Sequence, residues 1–354
     1  MHAANVYRNV PGAPAKAALD ACLADFARPR PGVLALVLEV AGHAYAKAGS
    51  VVHIGAGGER CGWISPGCLE GALLEAAAAS GQDLRSRLLE LDNLDLADVF
   101  AGSGAGCRGH QRILLLPLAE LPALQPILAR YRHAGDPLAL AVTLPGTLSA
   151  TCGDLHGEWP LALADAAAGA PAQSWRLRLA PLPRLLACGA GPESELLLPL
   201  LAQLGWRVEL VESRPAWLHC GQWVERQLAA LPGAGEDRGH DGVLLMAHQF
   251  DRDRAALEAL AEWPRLPAYI GLLGPETRRD DLLATLPPAV RARLHGRLES
   301  PAGMALGGRG PAAIALSLAA RLQALACALD GEQGHAAAAV AESRPHPSHE
   351  PPAC

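Results

Sequence analysis

The chain has 354 residues, half of them apolar, and a formal net charge of −6 at pH 7. This length is enough for two domains with sizeable cores, and the richness in alanine predicts aliphatic cores and numerous helices. The acidic balance argues against a nucleic-acid partner, because a surface that binds nucleic acid is basic.

The sequence carries no strong targeting or redox signal. We find no apolar run of the ~20 residues that cross a bilayer, and the first residues lack the charged start of a signal peptide. A cytoplasmic protein without a membrane partner is therefore expected. The nine cysteines show no C-x-x-C spacing, which argues against a disulfide framework or a zinc site and favours free thiols.

The first part of the chain, predicted as one domain over residues 15–178, has mixed strand and helix patterns. The continuous apolar run 33–40 predicts a buried strand, and the glycine turn 55–58 between two apolar segments predicts a β-hairpin. The other predicted elements are helices over 17–26, 69–79 and 122–133 and strands over 112–116 and 137–144.

The second part, predicted as a domain over residues 182–329, is more regular. It follows the proline-rich segment 180–183, whose composition is typical of a domain boundary. Strands and helices alternate, which predicts an α/β fold with a Rossmann-like, doubly wound parallel sheet, beside the mixed α/β N-terminal domain. The tail 330–354, rich in Ala, Pro, His and Glu, is predicted to be disordered.

A glycine turn in the second domain has the start of a dinucleotide fingerprint. Gly189 and Gly191 stand between a predicted strand and a predicted helix, where a phosphate meets backbone N–H groups and the positive helix end. Glu212 ends the next strand, in the place of a ribose-binding carboxylate, and Arg214 is placed to meet a phosphate. The alternative is a glycine turn that only closes a βα unit.

Further candidates follow two later strands. His248 comes after one of them, while Gly271 and Gly274 belong to the glycine-containing segment at the other. Ligands of open parallel sheets lie beyond the carboxyl ends of the strands. His248 is therefore a candidate hydrogen-bonding or acid/base group, and the alternative is a structural histidine that closes a loop.

Two cysteines of the first domain lie beside glycines. Gly67 and Cys68 precede a predicted helix, whose dipole would stabilise a thiolate that can ligate soft metals. Gly106 and Cys107 belong to the glycine-dense loop 101–109, whose backbone can approach a ligand closely. The alternatives are a buried core cysteine and a flexible connector.

The order of these motifs resembles the XdhC/CoxI family, which are accessory proteins for the maturation of molybdenum hydroxylases such as xanthine dehydrogenase. The matching segments are 62–70, 104–109, 189–191, 212–215, 247–248, 269–274, 303–307 and 311–315. The chain departs from the family pattern at Pro66, Arg108 and Ala305, where the family has glycine, glycine and an acid.

The resemblance implies a chaperone without turnover. Such a protein binds the molybdenum cofactor, as molybdopterin or its dinucleotide form, assists its sulfuration by a cysteine desulfurase and inserts it into an apo molybdenum hydroxylase. Cys68 is the expected molybdenum contact, followed by Cys107. The nucleotide side is expected to involve Gly189, Gly191, Glu212 and Arg214. The further residues expected to bind the cofactor are Gly67, Gly106, His248, Gly271 and Gly274.

Two other interpretations stay open, and a homodimer is a further expectation because dimers are common. One is an NAD(P)-dependent oxidoreductase that uses the Rossmann-like domain with His248 as its acid/base group. The other is a degenerate scaffold that only binds the partner enzyme, which the substitutions at Pro66, Arg108 and Ala305 would suit.

Overall fold

The computed structural model describes residues 5–9, 13–42, 44–65, 70–92, 109–164, 173–233 and 239–342. Over these residues the chain forms an N-terminal lobe with two five-stranded sheets and a C-terminal lobe with one six-stranded sheet. The α/β class predicted from the sequence is confirmed. The predicted domain limits themselves stay a prediction.

The N-terminal lobe is largely antiparallel. One sheet has the order β1-β10-β7-β8-β9 and the other has the order β4-β3-β2-β6-β5. Its strands are β1 (Asn5–Asn9), β2 (Val33–Gly42), β3 (Val51–Ile54), β4 (Arg60–Cys61), β5 (Arg87–Asp92), β6 (Gly109–Pro117), β7 (Leu138–Leu144), β8 (Thr147–Cys152), β9 (Leu155–Pro160) and β10 (Gln173–Leu179). Its helices are α1 (Ala13–Asp25), α2 (Glu70–Asp83) and α3 (Leu124–Ala134).

Strand β2 separates two hydrophobic clusters of this lobe. Leu34 and Leu36 face the larger cluster, which also contains buried residues of α1 and α3. Val33 and Ala35 face the second cluster, beneath α2. Because successive side chains of a strand point to opposite faces, a strand buried on both sides must be apolar at every position. This explains the unbroken apolar run in the sequence.

The C-terminal lobe has the strand order β13-β12-β11-β14-β15-β16, and every neighbouring pair is parallel. Its strands are β11 (Arg184–Cys188), β12 (Arg207–Val211), β13 (Arg226–Leu228), β14 (Gly242–Leu245), β15 (Tyr269–Leu272) and β16 (Leu298–Glu299). Its helices are α4 (Ser194–Gln203), α5 (Phe250–Ala261), α6 (Glu276–Thr285), α7 (Pro288–Leu294) and α8 (Pro311–Glu342). In chain order this arrangement is 3-2-1-4-5-6, the order of Rossmann folds.

Helix α8 differs from two expectations that were drawn from the sequence. It continues to Glu342, into the tail 330–354 that is predicted from the sequence to be disordered, because the alanine-rich segment favours helix. By length and hydropathy, its segment Pro311–Asp330 could also cross a membrane, although we found no such run in the sequence. Within the described structure Leu318 and Leu322 of this segment are buried in the core of the C-terminal lobe, which accounts for an apolar face.

A cluster of charges joins the two lobes around Glu225. Its carboxylate lies 2.6 Å from Arg132 of α3, 3.9 Å from Lys16 of α1 and 3.1 Å from Arg207 of β12. Arg207 also donates to the carbonyl of His133, at 3.0 Å. Arg207 begins β12 and Glu225 immediately precedes β13, so this junction lies at the edge of the parallel sheet where its strands start.

Candidate functional site

The glycine turn after β11 holds the ends of two neighbouring strands together. Gly189 has a φ of +91°, and a Cβ atom there would lie 2.6 Å from Cα of Ala247, which follows β14. Only glycine fits such a conformation and such a contact. In the order of this sheet, β11 and β14 flank the point where the connections change direction. Open α/β sheets bind ligands in the crevice at that point.

The backbone amides of this turn are already paired within the protein. Gly189 donates to the carbonyl of Val211 at 2.8 Å, and Ala190 donates to the Glu212 carboxylate at 2.9 Å. Gly191 donates to the Ser194 hydroxyl at 3.0 Å. A phosphate cradled on these three amides, as the sequence suggested, would have to displace one of these acceptors.

Glu212 is buried, and its carboxylate accepts several hydrogen bonds from the turn and the residues beside it. Besides Ala190, its carboxylate accepts hydrogen bonds from the backbone amides of Ser213 and Arg214 and from the Arg214 guanidinium. Burial opposes ionisation of Glu212, but the bonds from Arg214 and the nearby amides lower its pKa. A ribose contact, the role predicted from the sequence, would therefore compete with several internal bonds.

Arg214 connects the ends of three strands. Its guanidinium donates to the carbonyls of Ala190 at 2.6 Å and Ala247 at 3.3 Å, in addition to the pair with Glu212. Its pKa is raised, mainly by the hydrogen bond to Glu212. The arrangement places a cation at the strand ends, while much of its hydrogen-bonding capacity serves the fold, and the phosphate contact predicted for Arg214 stays a prediction.

His248 is the strained residue of the crevice. It has a φ of +56°, which is rare for a residue with a side chain, and such strain clusters at functional sites. Its Nε2 lies 3.5 Å from the buried Glu193 carboxylate, and its side chain is 47% exposed. Glu193 raises the pKa of His248, which favours the imidazolium form. A Cβ on Gly191 would contact both side chains, so the pair covers the turn.

The two glycines after β14 differ in position. Gly271 lies within β15, beside the Leu244 side chain, whereas Gly274 follows the strand end with a φ of +144°. The Gly274 carbonyl accepts a hydrogen bond of 2.8 Å from the Ser300 hydroxyl. Of these two predicted site residues, Gly274 therefore lies at the strand-end edge and Gly271 lies inside the sheet.

Gly67, Cys68, Gly106 and Cys107 lie outside the described residues, but the elements that flank them are described. The second cysteine segment joins the end of β5 to the start of β6, and these strands are antiparallel. Helix α2 follows the first segment and packs along β2, β5 and β6. It is joined to β5 by only residues 84–86, so its first turn lies at the sheet end where β5 terminates and β6 begins.

Charged and aromatic groups surround the start of α2. Glu70, its first residue, lies 2.5 Å from the Arg60 guanidinium, which in turn stacks 4.5 Å from the ring centre of Trp63. The Trp63 side chain is half exposed. Among the described residues, no group of three or more His, Cys, Asp or Glu side chains is arranged to hold a metal ion.

Comparisons with known proteins agree with this architecture. A model described as "XdhC Rossmann domain" matches residues 185–322, and a model described as "XdhC and CoxI family" matches residues 26–92. The chain belongs to the XdhC and CoxI family. The resemblance predicted from the motifs is thereby confirmed.

Two relatives of this family member span nearly the whole chain. A protein of Bacillus subtilis (strain 168), named as a probable subunit of xanthine dehydrogenase, is 28% identical over 336 residues, covering 86% of this chain and 95% of the relative. A crystal structure described as a xanthine dehydrogenase from Bacillus halodurans is 25% identical, with a TM-score of 0.70. That match covers 87% of this chain and 95% of the other.

Sequence reasoning missed one buried acid in the crevice of this family member. Asp253 lies in the first turn of α5, where an acidic residue is usually explained by the helix dipole. Its burial beside the ends of the strands could not be read from that pattern. The spacing of five residues from His248 was the available signal, since both residues follow the same strand.

Proposed function

We propose that this protein binds the molybdenum cofactor as cargo and delivers it to a molybdenum hydroxylase of the xanthine dehydrogenase type. The broader part of this proposal, an accessory role for xanthine dehydrogenase, is supported by the family and by the names of both relatives. The more specific part of the proposal is that the protein binds the cofactor, assists its sulfuration by a cysteine desulfurase and inserts it into the apo-enzyme.

The observation that carries the proposal is the common location of the elements that flank the two cysteine segments. These described flanks, at the start of α2 and between β5 and β6, lie at one end of one sheet. Cys68 and Cys107 themselves lie outside the described residues, and their contact with the same ligand is part of the proposal. Molybdenum and its dithiolene are soft, and thiolates are the protein ligands that suit them.

The crevice of the C-terminal lobe suits the anionic part of such cargo. Arg214 brings a cation to the strand ends, and the Glu193 carboxylate beside His248 raises the pKa of that imidazole and so favours its charged form. When bound, the cofactor supplies the redox-active metal and the phosphate. The protein residues bind and orient it, and the phosphate would replace the Glu193 carboxylate beside His248.

The alternative oxidoreductase interpretation is less well supported by the geometry. A nicotinamide dinucleotide in a Rossmann domain places its ribose on the acid that ends the second strand and its pyrophosphate on the glycine turn. Here Glu212 is bound to the turn and to Arg214, and the three amides have internal acceptors. No feature of the described residues favours hydride transfer over cofactor carriage.

Replacement of Cys68 should block delivery. In cells that produce the partner hydroxylase but lack this protein, we expect Cys68→Ala to lower the hydroxylase activity about tenfold or more relative to wild type, since even the loss of a residue that supports a metal ligand typically costs about 10–100-fold. Cys107→Ala should cause a smaller loss. The matched control is Cys327→Ala, because Cys327 is an exposed thiol of α8.

One result would contradict contact between the thiols and the cargo. If Cys68→Ala and the double variant with Cys107→Ala both restore hydroxylase activity as fully as Cys327→Ala, thiol contact with the cargo is excluded. Hydroxylase metal content, measured on the same samples, separates failed delivery from failed production of the enzyme.

A further inference from the structure

A cavity of about 600 Å³ lies in the N-terminal lobe, at the end of the sheet where β2 and β5 begin and β3 and β6 end. One wall is the second half of α2, and the other walls are the segment before β2 and the glycine turn after β3. The volume falls within the range of about 300–1,000 Å³ that small-molecule sites occupy. The proposed function makes no use of this cavity.

The cavity is separate from both sites described above. Helix α2 has 14 residues, so its last turn lies about 20 Å from its first. The first turn follows the segment that contains Cys68, whereas residues of the second half of α2 line the cavity. The crevice beyond β11 and β14 belongs to the other lobe. An inference about this cavity is therefore independent of the proposed function.

The inner surface of the cavity is apolar. Val33, Ile54 and Ala77 line it and are each at most 3% exposed. Leu74, on the same helix as Ala77, adds a partly buried side chain. Such a surface suits the hydrocarbon or aromatic part of a ligand, because removal of apolar surface from water is favourable.

Leu84 extends this apolar surface at a conformational cost. It follows the last residue of α2 with a φ of +59°, in the left-handed region that glycine usually occupies after a helix. Leu84 lines the cavity and is 42% exposed, so the described structure buries little of it in return. A ligand in the cavity would cover this side chain.

A cation without a partner lies at the rim of the cavity. Arg30 lines the cavity and is exposed, and it makes no hydrogen bond or ion pair with any residue that the structure describes. Arg28, by contrast, lies 3.2 Å from the Asp25 carboxylate and 3.0 Å from that of Glu59. Prolines on both sides of Arg30 restrict its backbone. Its guanidinium is thus available for an anion on a rigid segment.

We infer that this cavity binds a small amphipathic anion. Its hydrocarbon or aromatic body lies on the apolar surface beneath Leu84, and its single carboxylate or phosphate pairs with Arg30. A guanidinium recognises both anions through the same forked set of N–H donors. An uncharged molecule of the same shape gains nothing from Arg30 and binds more weakly.

Fluorescence titration of the full chain with anilinonaphthalene sulfonate tests the assignment, since this dye joins an aromatic body to one anionic group. We expect the dye to bind, and octanoate and octyl phosphate to displace it at concentrations about fivefold lower than octanol requires. This ratio is the scale of one ion pair at a protein surface. The better of the two anions distinguishes a carboxylate ligand from a phosphate ligand.

The contribution of Arg30 has a matched control. Arg30→Ala should weaken dye binding about fivefold, because it removes the same ion pair. Arg176→Ala should leave binding unchanged, since Arg176 is exposed on β10 of the same lobe and does not line the cavity.

Two further variants separate binding from folding. Ala78 is exposed on α2 and lines the cavity, so Ala78→Phe fills the space without displacing the core and should abolish dye binding. Leu84→Gly removes an apolar contact but suits the left-handed backbone. It should weaken binding while the thermal stability stays unchanged or rises. Thermal unfolding followed by circular dichroism checks both variants.

The inference is overturned if the dye does not bind or if octanol displaces it as well as octanoate does. Dye fluorescence that survives Ala78→Phe would place the dye elsewhere and would equally overturn it. Equal affinity of wild type and Arg30→Ala would contradict recognition of an anion. Because the assay contains no molybdenum or pterin, none of these outcomes bears on the proposed function.

Discussion

Substitution of Gly189 by alanine should destabilise the C-terminal lobe by about 3 kcal/mol or more. The backbone at Gly189 has a φ of +91°, and an added Cβ would lie 2.6–2.8 Å from backbone atoms of Met246 and Ala247. A left-handed conformation alone costs about 1–2 kcal/mol for an alanine. The contact adds to this cost, because neither strand end can shift without breaking sheet bonds. The measurement is urea unfolding followed by circular dichroism.

Gly135→Ala provides the matched control. Gly135 has a φ of +87°, and a Cβ there would meet no atom within 4 Å. This variant therefore reports the conformational strain without the contact, and we expect a loss of only about 1 kcal/mol. Equal losses of unfolding free energy in the two variants would contradict the close contact between Gly189 and the residues that follow β14.

Loss of the Glu212 carboxylate should have an effect of similar size. In Glu212→Ala, the Arg214 guanidinium and the Ala190 amide lose a buried acceptor, and breaking such a pair costs about 3–5 kcal/mol. We expect the same unfolding assay to show this loss. Glu258→Ala is the control, because its pair with Arg254 is exposed and should contribute less than about 1 kcal/mol.

The pH dependence of this effect follows from the lowered pKa of Glu212. A depressed pKa in the folded state stabilises the protein at pH values above the ordinary value of 4.5, and the stabilisation is lost as the pH falls through the folded pKa. The difference in stability between wild type and Glu212→Gln should therefore be largest near neutral pH and shrink below pH 4.5. A constant difference across that range would contradict an ionised Glu212 in the folded protein.

The regular parts of the fold were predictable from sequence because their patterns are local. The apolar run of β2 indicates a strand that is buried on both faces. The alternation of strand and helix patterns after residue 180 indicates a parallel sheet. Strands β8, β9 and β10 were missed because their partly exposed alternation is interrupted by polar residues. Strands β13 and β16 span only three and two residues, too few for a periodic signal.

The candidate site was predictable in position but less so in its bonding. The motif located Gly189 and Glu212 at the strand ends, where they are found. That the Glu212 carboxylate binds the turn depends on rotamers and on Arg214, which no spacing reveals. The burial of Asp253 beside Arg278 is likewise a property of packing between α5 and α6.

Binding of the molybdenum cofactor by this chain is the central claim. The direct measurement is the pterin content of the wild-type protein, purified from a molybdate-supplied host and oxidised to its fluorescent form. We expect pterin in stoichiometric amounts with the chain, and a nucleoside monophosphate among the hydrolysis products if the cargo is the dinucleotide form. Protein that is folded, purified without loss and free of pterin would contradict the claim.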